Sequence, residues 1–481
     1  MTAWLSFLTL LISFAHIAFA IRAILRPHRK PAARVAWIVF ILVAPLVGII
    51  AYLLVGEANV GQRRQRREVA ALQRLPPAES TAGLGTAPPS DDVPARLEPL
   101  FRTGQSVNGF APVDGNSATL FEDSADTIDA LVADIETARE HVHISFYIWL
   151  PDDNGVKVAE ALKQAVARGV ACRVIADSLG SRHLVGSPHW HAMRAAGVTA
   201  IATLKVGWPL LRALGRRVDI RNHRKIVVID NRITYCGSQN CADAEFLVKA
   251  SFGPWVDMMM RFEGPIARQN QYLFASHWMT SVDEDLSPLL REAIVFSNEG
   301  FTAQATGTGP TVRPSAMAEV FASVINAARR ELIVTTPYYV PDEFLQSTLC
   351  GCSRRGVKTI LIVPARNDSR LVAYASRSYY EDLLESGVRI FEFAPGVLHA
   401  KTMVADSEVV LVGSSNLDRR SFELNYENNI LLVDRDTAKA VRRRQEEFIA
   451  SATEVTLSEV RRWSPVRRFI NNAVAMFSPL L

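Results

Sequence analysis

The stretch His223-Arg-Lys-Ile-Val-Val-Ile-Asp230, HRKIVVID, decides how the chain is read. Its apolar run reads as a buried strand, and in a strand residues i and i+2 share a face. His223 and Lys225 are therefore expected to point the same way. Taken alone, this is an ordinary strand that happens to hold a histidine. The string returns 176 positions later as HAKTMVAD, His399 to Asp406, with Lys401 two places after the histidine. After six further residues come Gly237-Ser238-x-Asn240 in the first copy and Gly413-Ser414-x-Asn416 in the second. Six identities at fixed spacing arise by chance at about 10⁻⁸ per start site, so two copies are not accidental.

The surroundings repeat as well. The helical pattern DTIDALVADIETARE leads to HVHISFYIWLPDD, then to the helix VAEALKQAVARG and the strand VACRVIAD. In the second half AEVFASVINAARR leads to ELIVTTPYYVPDE, then to a helix and VKTILIVPA. This alternation predicts an α/β fold: two pseudo-symmetric domains, each a mixed sheet flanked by helices, over 107–300 and 301–451. The first half holds an extra segment before its histidine, within LKVGWPLLRALGRRVDIRN.

Outside the repeat the composition changes. Ala3–Ile21 and Val35–Val55 carry no charge over 19 and 21 residues. Each is long enough to cross a ~30 Å hydrocarbon layer, and Pro45 is tolerable there. Residues 1–56 are expected to form a two-helix transmembrane hairpin. Met1-Thr-Ala lacks the basic start of a signal peptide. Residues 57–106, with RRQRREVA and GTAPPSDDVPA, read as a basic stub and linker. Five arginine or lysine residues lie between the spans and five follow the second, so charge does not orient the hairpin. The five cysteines form neither a zinc spacing nor a disulfide framework, which points to a reducing compartment and cytoplasmic catalytic domains. A net charge of +4 argues against nucleic-acid binding. Two segments suit an anionic membrane surface: LKVGWPLLRALGRR, and the C-terminal stretch 452–481. In the latter, Trp463, Val466, Phe469, Ile470, Ala473, Val474 and Phe477 share one helical face, with Arg467, Arg468, Asn471 and Asn472 opposite. Each could instead be a helix docked on the domain.

The two strings resemble the twin HKD motifs of the phospholipase D superfamily. More narrowly, the chain resembles bacterial cardiolipin synthases through TTPYYVPDE, NHRKIVVID, GSSNLDRRSFELNYE, the paired N-terminal spans and the closing FSPLL. The resemblance implies two phospholipase D-type domains at a cell inner membrane. It implies transfer of a phosphatidyl group through a phosphohistidine, with phosphatidylglycerol as donor and acceptor and glycerol released. No cofactor or metal is implied, and no metal-ligand cluster is visible. A water-using phospholipase, a nuclease and an inert lipid-binding protein are the alternatives.

The chemistry follows from the residues too. Cleaving a phosphodiester needs a nucleophile, an acid for the leaving alcohol and positive charge around the phosphoryl oxygens. His223 and His399 supply the first two, with His223 preferred as nucleophile. Lys225, Lys401, Asn240 and Asn416 supply donors for the phosphate. Each imidazole needs a partner that fixes its tautomer. The candidates are Asp257 in WVDMMMRFEGP and Glu427 in LNYENNILLVD. Asp230 and Asp406 complete the motifs as catalytic candidates, although the resemblance implies that they hold strand–turn geometry.

Overall fold

The computed structural model describes residues 2–26, 31–78, 81, 83–84, 93–205, 217, 219–292 and 299–477. Contacts divide the chain into two compact units: Met1–Gln65 with Val206–Ile220, and Arg66–Lys205 with Arg221–Leu481.

The second unit is built on one long sheet. Its first repeat supplies β1 (Val113–Leu120), β2 (His141–Phe146), β3 (Ala171–Asp177), β4 (Thr199–Thr203), β5 (Arg221–Asn222), β6 (Ile226–Ile229), β7 (Ile233–Gly237), β8 (Trp255–Val256) and β9 (Met259–Glu263). The second supplies β10 (Phe301–Thr308), β11 (Glu331–Thr335), β12 (Tyr339–Val340), β13 (Lys358–Pro364), β14 (Arg389–Phe393), β15 (Val397–Leu398), β16 (Thr402–Ala405), β17 (Val409–Gly413), β18 (Leu417–Asp418), β19 (Asn425–Val433) and β20 (Ala452–Val455). From one end the order is β4-β3-β2-β6-β7-β9-β1; from the other it is β20-β14-β13-β11-β16-β17-β19-β10. Apart from the added β20, the two orders are equivalent. They meet where β1 pairs antiparallel with β10. The repeat seen in the sequence is thus a palindrome of strands.

Both motif strands are central. The four residues of β6 and the four of β16 are all buried, as an unbroken apolar run requires when helices cover both faces. The covering helices start where the repeat places an aspartate. Asp152 caps Asp153–Ala167 by accepting from Gly155 N, and Asp342 caps Glu343–Arg354 by accepting from Leu345 N.

One expectation is corrected here. His223 and Lys225 do not sit inside a regular strand, nor do His399 and Lys401. They occupy irregular backbone between β5 and β6 and between β15 and β16. The physical reason is a change of partner. β6 pairs with β2 and β7 of its own repeat, whereas β5 pairs with β19 of the other. Likewise β16 pairs with β11 and β17, whereas β15 pairs with β8. The chain crosses from one repeat to the other at each histidine.

In the N-terminal unit, the first apolar segment forms α1 (Thr2–Leu25). The second does not form one helix over Val35–Val55. It divides into α2 (Pro31–Val43) and α3 (Pro45–Val55), with Ala44 out of helical geometry and Pro45 at the first turn of α3. Proline lacks the N–H that would continue the ladder. At 1.5 Å per residue the pieces span only ~20 and ~17 Å. Among the described residues no helix is long and apolar enough to cross a membrane. Trp37 packs edge-on against Tyr52 at 5.2 Å, and Glu57 accepts from Arg22 Nε (2.8 Å) and Tyr52 OH (2.8 Å). The amphipathic segment through Trp208, Leu210, Leu211, Arg212, Leu214 and Arg216 lies outside the described residues, as do the last residues of FSPLL.

Two later helices form a pair. α4 (Arg370–Arg377) and α5 (Pro465–Ala475) pack together, with Val474 and Ala475 of α5 against a cluster containing Val340, Val372 and Ala375.

Candidate active site

Register brings the catalytic candidates together. In the parallel β5–β19 pair, Arg221 faces Asn425 and Asn222 faces Tyr426. The next step sets His223 beside Glu427, and His223 N donates to Tyr426 O at 2.9 Å. In the parallel β15–β8 pair, Val397 faces Trp255 and Leu398 faces Val256. The next step sets His399 beside Asp257, and His399 N donates to Val256 O at 2.7 Å. Each histidine therefore meets the acid of the other repeat. His223 Nδ1 lies 2.9 Å from Glu427 Oε2, and His399 Nδ1 lies 2.6 Å from Asp257 Oδ1.

Electrostatics fix the tautomers. Burial alone raises the Asp257 carboxyl, but the charge and hydrogen bond of His399, with Lys401 and Ser238, outweigh it and hold it at about 2. Burial likewise raises Glu427, and His223, Lys225 and Ser414 overcome it, leaving its pKa lowered. An ionised carboxylate only accepts, so each Nδ1 carries the proton and each Nε2 keeps a lone pair. Burial pushes His223 down to about 4 against the opposing pull of Glu427. Burial and the Lys401 charge push His399 to about 4 against Asp257. Both imidazoles are thus neutral near pH 7.

The lysines are buried beside them. Lys225 Nζ donates to His223 O at 2.8 Å, and Lys401 Nζ donates to His399 O at 2.6 Å. Burial lowers Lys225 to about 8. Burial and the neighbouring Lys225 charge lower Lys401 to about 7. The Lys225 charge acting on Lys401 places the two ammoniums within electrostatic reach of each other, although neither is among the described residues lining the pocket that holds the histidines.

His223 and His399 line one pocket of about 250 Å³, with Asn240, Tyr147, Trp255, Lys249 and Asp368 among its walls. Asn240 Oδ1 accepts from Ile148 N at 3.3 Å, which leaves its amide nitrogen to donate. Asn416 is not equivalent: its amide nitrogen donates to Asp418 Oδ2 at 3.4 Å.

Asp230 and Asp406 lie apart from the histidines and their acids. Each sits with positive φ on the turn that ends its motif strand, and neither is among the described residues lining the pocket. Asp230 accepts from the backbone N–H of Arg139, Glu140 and His141 at 2.8–2.9 Å. Asp406 accepts from those of Arg329, Arg330 and Glu331 at 2.7–2.9 Å. Three backbone donors occupy each carboxylate, so it clamps its turn to the start of β2 or β11 rather than reaching the pocket.

Sequence reasoning missed several contributors. Ser238 Oγ donates to Asp257 Oδ1 at 2.6 Å, and Ser414 Oγ donates to Glu427 Oε2. Their signal was present, since both serines belong to the repeated Gly-Ser-x-Asn. The glycines beside them are required by close packing: a Cβ on Gly237 would meet Met258 O at 2.3 Å, and one on Gly413 would meet Asn428 O at 2.4 Å. Tyr147 packs on His223 at 5.0 Å and Trp255 on His399 at 4.6 Å between ring centroids. Asp368 accepts from Tyr338 OH and pairs with Lys249, each at 2.6 Å, which ties the two repeats together across the pocket rim. No motif marks Lys249 or Asp368.

Comparisons with known proteins bear on the same residues. A family model described as "Cardiolipin synthase, PLD-like domain" matches residues 131–272 and 321–449. One described as "Phospholipase_D-nuclease N-terminal" matches residues 15–57. Cardiolipin synthase A of Yersinia pseudotuberculosis is 36% identical over 493 residues, covering 100% of this chain and 98% of that protein. Cardiolipin synthase A of Erwinia tasmaniensis is 36% identical over 495 residues, covering 100% of both. Among solved structures, phosphatidylserine synthase from Haemophilus influenzae superposes with a TM-score of 0.58 at 13% identity, over 79% of this chain and 97% of that one, which is a likeness of fold.

Proposed function

We propose a two-step transfer mechanism from the premise that the chain belongs to the cardiolipin synthase family of phospholipase D-like proteins. It is a membrane-associated phosphatidyl-group transferase that makes cardiolipin. The steps below are our reading of its site.

Phosphatidylglycerol binds with its phosphate between Lys225 and Lys401 and its oxygens toward the amide of Asn240. The phosphate charge favours the protonated imidazole, so His399 holds a proton on Nε2 once substrate is bound. His223 Nε2 attacks phosphorus, the bond to the glycerol headgroup breaks, and His399 gives that proton to the departing oxygen. The product of this step is a phosphatidyl-His223 and free glycerol. His399 then takes a proton from the hydroxyl of a second phosphatidylglycerol. That oxygen attacks phosphorus, the P–N bond breaks, and cardiolipin leaves. Glu427 and Asp257 hold the two rings with Nε2 toward the phosphate and stabilise each imidazolium as it forms.

The observation that carries this reading is the crossed pairing of His223 with Glu427 and His399 with Asp257 around one pocket. The two repeats are pseudo-symmetric, and either histidine has the geometry of a nucleophile. We assign His223 because its carboxylate is the more enclosed, with Ser414 and Asn425 also donating to Glu427. We further propose that residues 1–56 anchor the chain in the membrane with the catalytic unit on the cytoplasmic side, which the two uncharged segments and the five buried thiols support.

The test is incubation of membranes holding the protein with phosphatidylglycerol labelled in its headgroup and acyl chains. Cardiolipin with one free glycerol per turnover is expected. Phosphatidic acid as the sole lipid product would replace transfer by hydrolysis.

A further inference from the structure

The C-terminal helix α5 leaves its large apolar side chains unburied. Its protein-facing side is mixed, with buried Asn471 beside Val474 and Ala475, which pack on the α4 cluster. Asn471 is 1% exposed, Arg467 lies over the Trp463 ring at 4.0 Å, and Arg468 donates to Arg461 O at 2.9 Å. Its large apolar residues face outward. Val466 is 68% exposed, Phe469 73%, and beyond the last turn Met476 81% and Phe477 61%. These follow helical spacing, so they form one continuous stripe. The neighbouring α4 adds exposed Leu371 and Tyr374, and the pocket-lining loop adds exposed Val248. Scattered exposed hydrophobics are ordinary, but a contiguous stripe of large apolar side chains along one helix face is not.

The stripe lies near the mouth of the pocket. Asp368, on the pocket wall, stands two residues before α4, and Tyr338, which donates to Asp368, belongs to the cluster on which Val474 and Ala475 pack. The pocket has room for a headgroup and not for acyl chains. The tails of any phospholipid bound there must lie outside the mouth. α5 has no acidic residue, and exposed Arg370 and Arg462 flank the helix pair, while Arg461 is paired with Glu385 at 2.6 Å.

We propose that α5, braced on α4, inserts its Val466–Phe469–Phe477 stripe into the anionic leaflet that supplies the lipid substrate. This sets the pocket mouth at headgroup depth. Phosphatidylglycerol then enters by its headgroup while its acyl chains stay in the leaflet beside Leu371 and Val248. The inference rests on the phospholipid reading of the site, and it concerns how that substrate arrives.

The test uses the full chain in vesicles of phosphatidylglycerol and phosphatidylethanolamine. All five native cysteines are buried, so Phe469→Cys admits a thiol-reactive fluorophore at one exposed place. Quenching by nitroxide groups on lipid acyl chains, with little quenching by aqueous iodide, is expected. Quenching by iodide alone would overturn the proposal by leaving the stripe in water. Quenching by neither would overturn it by placing another protein surface, such as a second copy, over the stripe. A second measurement uses Phe469→Asp with Phe477→Asp. Turnover of vesicle-borne phosphatidylglycerol is expected to fall about tenfold relative to turnover of a short-chain, monomeric phosphatidylglycerol. Equal losses on the two substrates would count against an interfacial role. Product identity is read separately: if the unaltered protein makes no cardiolipin, the functional reading fails whatever the quenching shows.

Discussion

Glu427 accepts a hydrogen bond from His223 Nδ1 at 2.9 Å, although the two residues are 204 positions apart and belong to different repeats. The reciprocal pair, Asp257 with His399, has the same form. Neither repeat holds a complete site. Each contributes a histidine and lysine to its own motif, and an acid to the other's. The crossing is a matter of strand register, because β5 and β15 leave their own repeat just before each histidine.

The acids are expected to act on rate more than on fold. Glu427→Gln keeps the shape but leaves Nδ1 free to lose its proton, which allows the wrong tautomer. Turnover should drop by about 10² or more, with a smaller change in KM, and Asp257→Asn should behave alike. Steady-state kinetics on dispersed phosphatidylglycerol check this. Losses under about fivefold in both variants would show that tautomer control lies elsewhere.

The pH profile follows from groups already shifted in the free enzyme. His223, the nucleophile, is neutral above about 4, so the limb of kcat/KM that it sets should rise as pH increases through that value. Lys401 at about 7 and Lys225 at about 8 are charged below those values and lose the charge above them. Capture of the anionic phosphate should weaken across that range, so kcat/KM should fall from about pH 7 upward. A profile that stays level to pH 9 would contradict the assigned role of the lysines.

Asp230→Ala and Asp406→Ala should behave differently from the acids that hold the histidines. Each removes the acceptor of three backbone donors at a partly exposed turn, and its positive φ suits alanine poorly. A loss of about 1–3 kcal/mol in unfolding free energy is expected for each. The folded fraction should keep kcat within a few-fold. Thermal unfolding paired with turnover per folded molecule separates the two effects. A large kcat loss at unchanged Tm would make these aspartates catalytic.

Much of this site could be read in the sequence, and what could not has a physical reason. The twin strings named His223, Lys225, His399 and Lys401, and the repeat indicated two equivalent α/β halves, because local patterning encodes both; that the halves join in one sheet through β1 and β10 is a long-range pairing it does not encode. Asp257 and Glu427 were recognisable as acids preceding apolar strands. Their crossed assignment was not, because β8 and β19 pair with strands more than 140 positions away and pairing partners leave no local trace. For the same reason the motif residues read as one strand, whereas the change of partner breaks it at His223 and His399. Pro45 was read as tolerable in a single span, yet it starts α3 as a separate helix. On α5 the apolar face was plain at 3.6-residue spacing. That this face would stay undocked while Val474 and Ala475 turn to Val340, Val372 and Ala375 depends on tertiary contacts, which no pattern within 465–477 contains.

The most direct measurement is the covalent intermediate. Protein mixed with radiolabelled phosphatidylglycerol is quenched in alkali, where a phosphohistidine persists, and the labelled peptide is identified. The account predicts lipid-derived phosphate on His223 within seconds, none in His223→Ala, and retained or increased label in His399→Ala with slow release. Turnover to cardiolipin with no label on either histidine would contradict it, and label on His399 alone would reverse the roles of the two repeats.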